Sequence, residues 1–166
     1  MADTCIRTAL VSTNSITQGS VVALTAFIPM LMGTGGNSGS QSSVTVIRAL
    51  SLDELEFRDI GRVMLKELGT AFLCGIALAI VCFVKIYLVD TLLFANPDIT
   101  LQVNLVVCLA LAVTVVIAKV VGCALPMIAK VLHLDPAVMA SPFITTIVDA
   151  VSLLVYFMFA KMVLGI

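Results

Sequence analysis

The sequence predicts an all-α integral membrane protein, and three observations support that class. Hydrophobic residues make up 61% of the 166 residues and charged residues only 11%, whereas soluble domains average roughly 45–50% apolar and about 25% charged residues. Four segments are apolar over the ~20 residues that a helix needs to cross a bilayer. The connections between them are short, which is typical of a helical bundle. A net charge of -1 without a concentrated basic face argues against a nucleic acid partner.

The four predicted transmembrane helices follow one another along the chain. The first covers residues 21–50, and no side chain is charged in the long interval 8–47. The second covers residues 69–89 and has Lys85 near its end, and the third covers residues 101–128. The fourth covers residues 136–160 and is expected to begin at Pro136, because proline is favoured in the first turn of a helix.

The loops predict how the helices are oriented. Residues 51–67 have the apolar spacing of a short amphipathic helix lying on the cytoplasmic membrane surface. Basic residues cluster around this first loop and flank the third, and loop two, residues 90–100, has none. The positive-inside tendency therefore predicts cytoplasmic first and third loops and an external second loop, with both termini outside.

Cysteine and histidine give no sign of a catalytic or zinc site. The five cysteines are scattered without a CxxC pair, and four of them lie in apolar runs, where a thiol packs as a small hydrophobe. His133 has no second histidine or cysteine at ligand spacing. Because no nucleophile–base pair or metal triad stands out either, we do not expect an enzyme.

Asp149 is the most unusual residue of the fourth span, where it lies in the apolar stretch TTIVDAVSLLVYF, residues 145–157. A carboxylate at the bilayer centre costs about 2.5–3.5 kcal/mol on insertion scales, so such residues usually face a bundle interior or a water-filled path. Ser141, Thr145, Asp149 and Ser152 fall on one helical face. This pattern favours an ion or proton path. The alternative is a protonated aspartate hydrogen-bonded to a neighbouring helix.

The glycine-rich stretch of the first span, residues 27–50, is the second unusual feature. Pro29 and four glycines are expected to let the helix bend or unwind, and carbonyls freed in this way must be buried or line water. Polar side chains share one helical face there: Thr34, Ser38, Gln41, Ser42 and Thr45. Asn37 lies four residues before Gln41. The alternative is helix packing through small residues, but together with Asp149 the stretch favours a pore wall.

Oxygen ligands without cysteine or histidine suit a hard cation such as Mg²⁺ or Ca²⁺. One aspartate per chain provides few ligands for such an ion, so we expect a two-fold axis that brings two Asp149 side chains to one ion. Glu67 and Lys66 are interpreted either as interfacial charges or as cation attraction at the cytoplasmic mouth. Lys119 is expected to reach the headgroups, away from the pore axis.

Three motifs in order carry a resemblance to a known family. They are PMLMGTGGNSGSQSSVTVIRAL at 29–50, VMLKELG at 63–69 and LDPAVMASPFITTIVDAVSLLVYF at 134–157. Together they resemble the MgtE magnesium channel/transporter family, from about residue 21 to the C-terminus.

The resemblance implies a homodimer of five-helix membrane domains with the ion path on the two-fold axis. Asp149 then matches the pore aspartate that binds hydrated Mg²⁺, and the family's Gly-Gly-Asn segment falls on Gly35, Gly36 and Asn37. Glu67 matches an acidic residue of the family. Two positions depart from the pattern, because Ser141 and Ser40 stand where the family commonly has asparagine.

The resemblance also defines the expected domains. Residues 21–166 correspond to the pore domain, and residues 1–20 to a remnant or replacement of the family's first helix. The family's cytoplasmic regulatory domains have no counterpart in these 166 residues, so we expect no regulation through them.

The sequence thus predicts a homodimeric Mg²⁺ channel, multi-pass in the cell membrane and most simply in a bacterial inner membrane. An exchanger coupled to H⁺ or Na⁺ and a non-transporting helical scaffold remain as alternatives. The expected ion ligands are Asp149, Thr145, Ser141, Gly36 and Asn37. The expected pore-lining or gating residues are Gly35, Gln41, Glu67 and Ser152.

Overall fold

Four long helices make up the protein in a computed structural model, which describes residues 2–52, 59–139 and 142–164. Helix α1 spans Ala2–Ser51 and α2 spans Ile60–Lys85, continuing as a π-helical segment over Ile86–Leu93. Helix α3 spans Leu101–Val131, a short 3-10 helix spans Pro136–Met139, and α4 spans Pro142–Leu164. All four helices are long and apolar enough to cross a membrane. The predicted all-α class and its four spans are confirmed.

Helix α3 lies at the centre of the bundle and contacts each of the other three helices. Its run of valine, alanine and leucine is buried on most sides, and α3 is the most buried of the four helices. One apolar cluster joins Leu24 and Leu31 of α1, Ile86 after α2, Val107 of α3 and Tyr156 of α4. Since α3 contacts every other helix, it fixes their relative positions.

Helix α2 is the least buried of the four. Between residues 72 and 84 its exposed side chains are all apolar, including Phe72, Leu73, Ile80 and Val81. Apolar side chains exposed along a membrane-spanning helix suit contact with lipid tails or with another subunit.

The second span extends beyond its predicted end at residue 89. The backbone continues as a π-helix to Leu93, and Lys85 forms an ion pair of 2.7 Å with Asp90 across this junction. The following loop ends at Thr100, whose hydroxyl caps α3 by accepting a hydrogen bond of 3.3 Å from the Val103 N–H.

Helix α3 ends in a Schellman motif at His133. This residue has a φ of 56°, the Leu134 N–H donates to the Ala129 carbonyl at 2.9 Å, and the His133 N–H donates to the Lys130 carbonyl at 3.2 Å. His133 therefore has a backbone role in the chain reversal.

The predicted helix start at Pro136 is wrong for the transmembrane helix. Pro136 begins the short 3-10 helix, and α4 begins at Pro142. Proline suits both positions, because each is the first residue of a helical segment, where no N–H is needed.

The predicted amphipathic helix at 51–67 is only partly within the described residues, because 53–58 lie outside them. From Ile60 the chain already belongs to α2. At the other end of the bundle, the backbone of residues 2–18 is helical and continuous with the first span.

Candidate functional site

Helix α1 is unbroken through its glycine-rich stretch. The expected unwinding at Pro29 and the four glycines is wrong, because α1 is one continuous helix from Ala2 to Ser51. Small residues can remain helical when neighbouring helices pack closely against them. The glycines therefore act through the space that they leave on the helix surface.

Two of these glycines face the central helix. A Cβ added at Gly35 would lie 2.8 Å from Thr114 Cγ2 of α3, and one at Gly39 would lie 3.0 Å from the Ala118 carbonyl oxygen. On the α3 side, a Cβ at Gly122 would overlap the Gly39 carbonyl oxygen. Helices α1 and α3 thus approach each other backbone to backbone, as small-residue motifs permit in membranes.

Gly36, which directly follows Gly35 in α1, faces α4 and Asp149. A Cβ at Gly36 would lie 3.2 Å from Thr145 Cγ2 and 3.7 Å from Asp149 Oδ1. Thr145 and Asp149 are partly exposed, and the Thr145 hydroxyl donates to the Pro142 carbonyl at 3.0 Å. Gly36 therefore lets the α1 backbone come close to the one acidic side chain in α4.

The remaining predicted ligands lie near this contact or outside the described residues. Asn37 and Gln41 are exposed on α1, one and five residues after Gly36. Ser141 lies outside the described residues.

Ser152 takes an interior position on α4. It is 1% exposed, and its hydroxyl donates to the Val148 carbonyl at 2.6 Å. A Cβ added at Gly35 would lie 3.0 Å from the Ser152 hydroxyl oxygen. Ser152 and Gly35 thus contact each other inside the bundle, while Gly36, Thr145 and Asp149 meet closer to its surface.

Glu67 pairs with Lys119 within the bundle. The Ser42 hydroxyl donates to Glu67 Oε2 at 2.9 Å, and Lys119 Nζ donates to the same oxygen at 3.4 Å. Lys119 is only 9% exposed. The expectation that Lys119 reaches the headgroups is therefore wrong, and Glu67 faces a buried cation from α3 rather than its neighbour Lys66.

Sequence reasoning noticed Glu67 and Lys119 separately but missed their contact. The two residues are 52 positions apart, and no local pattern links them. The only signal was weak: a lysine inside an apolar run needs a partner or a route to water.

Within the described ranges, no three histidine, cysteine, aspartate or glutamate side chains form a group that could hold a metal ion. Thr145, which carries a hydroxyl group, lies one helical turn before Asp149 and contacts the same glycine, Gly36. A hydrated hard cation can be bound by such groups through its water molecules.

Comparison with known proteins relates this arrangement to a family. The family model of the MgtE divalent cation transporters matches residues 28–159. The magnesium transporter MgtE of Thermus thermophilus is 37% identical over 158 residues, which cover 92% of this chain and 33% of that protein. The magnesium transporter MgtE of Bacillus subtilis is 38% identical over 141 residues, which cover 82% of this chain and 29% of that protein. The magnesium transporter MgtE of Enterococcus faecalis is 29% identical over 147 residues, which cover 89% of this chain and 30% of that protein.

The chain spans about a third of the length of these curated relatives. The matched region nevertheless includes all three sequence motifs in part or in full, together with the Gly36–Asp149 contact. The chain belongs to the MgtE family of divalent cation transporters.

Proposed function

We propose that this membrane protein is a Mg²⁺ channel, which conducts the ion down its electrochemical gradient past Asp149. The observation that carries the proposal is the contact between Gly36 of α1 and the Thr145–Asp149 segment of α4, where a Cβ at residue 36 would lie 3.7 Å from the carboxylate. The relatives named as magnesium transporters support the choice of ion.

The chemistry of this contact suits a hydrated divalent cation. Mg²⁺ loses its water reluctantly and is commonly held through one or two carboxylates. Asp149 supplies the negative charge, while the neighbouring amide and hydroxyl groups of Asn37 and Thr145 can accept or donate hydrogen bonds to the ion's waters. Binding through water is weak enough to release the ion, which conduction requires.

A homodimer completes the proposed path. Helix α4 contains one acidic residue, so a two-fold axis beside it would bring a second Asp149 to the same ion. Asn37 and Gln41 are exposed in the single chain and Asp149 is partly exposed, as residues lining a path between two subunits need to be. Light scattering of the purified protein in detergent tests this, and a monomeric mass with full transport would contradict it.

The test of function is Mg²⁺ uptake into liposomes that contain a Mg²⁺-sensitive dye. Asp149→Asn keeps the shape of the side chain and removes its charge, so we expect at least a tenfold loss of initial flux. Asp98→Asn is the matched control, because Asp98 is an exposed aspartate in the loop before α3. Wild-type flux from Asp149→Asn would refute the proposal.

The same vesicles separate a channel from an exchanger. A channel conducts Mg²⁺ under a membrane potential with equal pH and Na⁺ on both sides. Flux that requires a proton or Na⁺ gradient would show instead that Asp149 alternates between ions. A scaffold without transport would give no flux in either condition.

A further inference from the structure

A charged network inside the bundle joins three helices at one point. Ser42 of α1, Glu67 of α2 and Lys119 of α3 contact each other pairwise: Ser42 Oγ to Glu67 Oε2 at 2.9 Å, and Lys119 Nζ to each of these two oxygens at 3.4 Å. Ser42 is 2% exposed and Lys119 is 9% exposed, while the side chain of Glu67 is partly buried, with 18% of it exposed. We call these three residues the buried triad.

The buried triad is separate from the contact between Gly36 and Asp149. Ser42 lies six residues after Gly36, which is about 9 Å along the helix axis and about 120° around it. Its side chain therefore points toward α2 and α3, while Gly36 faces α4. The triad does not touch the proposed ion path directly.

Stability alone is a poor explanation for such a pair. Removing two charges from water costs more than many buried ion pairs return, and apolar residues of similar volume are often as stable or more stable. A buried pair does impose geometry, since each charge must stay near its partner. Here the geometry includes α1, because both Glu67 and Lys119 hydrogen-bond to Ser42.

Helix α1 transmits that constraint to the ion path. It is continuous from Ala2 to Ser51, so its rotation and depth at Ser42 also set the position of Gly36. The spacing there is tight: a Cβ at Gly36 would come within 3.2 Å of Thr145. A small rotation of α1 would change the space beside Asp149.

We propose that Glu67 and Lys119 are positioning residues, which hold α1 through Ser42 and thereby set the gap between Gly36 and Asp149. This inference rests on the proposed transport function. It assigns Glu67 a role behind the pore wall instead of at the cytoplasmic mouth, with its charge balanced by Lys119.

The decisive variant is the double substitution Glu67→Met with Lys119→Met, which replaces the pair by apolar chains of similar length. We expect it to unfold within a few degrees of wild type in detergent. In liposomes we expect its half-saturating Mg²⁺ concentration to change at least threefold, because Ser42 has lost its hydrogen bonds to α2 and to Lys119 of α3. Unchanged stability with unchanged concentration dependence would show a merely structural pair and overturn the proposal.

The charge swap Glu67→Lys with Lys119→Glu is the second variant. The Ser42 hydroxyl can donate to a carboxylate or accept from an ammonium group, so the swapped network can form. We expect each single reversal to lose most of the flux and the swap to return the half-saturating concentration to within twofold of wild type. If the charge-swapped protein folds but its flux is as low as that of the single reversals, positioning by this network is contradicted. This test remains decisive even if the methionine double variant does not fold.

Asp149→Asn in the same vesicles distinguishes the two proposals. If Asp149→Asn abolishes flux but the methionine pair behaves as wild type, only the positioning role fails. Flux that survives Asp149→Asn overturns both.

Discussion

The close contact between Gly122 of α3 and Gly39 of α1 predicts a strong effect of a single methyl group at Gly122. Gly122 of α3 faces Gly39 of α1, and a Cβ there would lie 2.8 Å from the Gly39 carbonyl carbon and 3.0 Å from its Cα, with the carbonyl oxygen nearer still. Carbon atoms pack at about 3.5–4.0 Å. Gly122→Ala must therefore push α1 and α3 apart by roughly 0.5–1 Å.

The neighbours of Gly122 cannot absorb this change locally, because the atoms that would clash belong to backbone. Overpacking of this kind costs about 1–3 kcal/mol. For a chain of this size each kcal/mol shifts the unfolding temperature by about 2–4 °C. We expect Gly122→Ala to unfold about 2–12 °C below wild type.

The buried cysteines provide the assay. Cys82, Cys108 and Cys123 are buried, so a thiol-reactive fluorophore reports unfolding when heat exposes them. Gly69→Ala is the matched control, since among the described residues no atom outside its own stretch of helix lies within 4 Å of the position of its Cβ. Because alanine is the better helix former, it should unfold at the wild-type temperature or up to about 4 °C above it. An equal unfolding temperature for Gly122→Ala would refute the direct backbone contact between α1 and α3.

Two further predictions concern α4. Gly36→Ala brings a methyl group to 3.2 Å from Thr145 Cγ2 and 3.7 Å from Asp149 Oδ1, so Mg²⁺ flux in liposomes should fall severalfold. The control Gly69→Ala should conduct normally. Equal flux from both variants would show that Gly36 does not border the ion path. Tyr156→Phe loses the 2.8 Å hydrogen bond from the buried Tyr156 hydroxyl to the Leu24 carbonyl, which should lower the free energy of unfolding by about 0.5–1.5 kcal/mol. Tyr87→Phe at an exposed position should leave the unfolding temperature unchanged. Equal unfolding temperatures for the two variants would show that this hydrogen bond contributes no net stability.

Hydropathy predicted the four spans because a bilayer imposes a simple length and composition on each helix. The boundaries were harder to predict. The chain after Lys85 stays helical to Leu93 although the sequence turns polar at Asp90, and an ion pair between these two residues spans the junction. Pro136 and Pro142 are both sound helix starts by local rules, and nothing local decides which one begins the long helix.

The site was predictable where one residue carries the signal and not where two distant residues share it. Asp149 is conspicuous in an apolar run, and it lies close to Gly36 of α1; that the two belong to one ion site stays a prediction. Lys119 was conspicuous as well, but its partner Glu67 is 52 residues away on another helix. A long side chain in a membrane helix can either extend to the surface or pair inside, and only the arrangement of helices decides between them.

The glycines of α1 reconcile two interpretations that the sequence left as alternatives. Gly35 and Gly39 are four residues apart and pack against α3 and against the buried Val148 of α4, whereas Gly36 lies about 100° around the helix from Gly35 and faces the partly exposed Thr145 and Asp149 of α4. Packing in the bundle interior and the contact with Asp149 therefore use neighbouring faces of the same short segment. Because the helix is continuous, close packing on the first face restricts how far Gly36 can move relative to Asp149. For the ion site proposed above, the packing of α1 on α3 therefore helps to set the space that a hydrated ion would have beside Asp149.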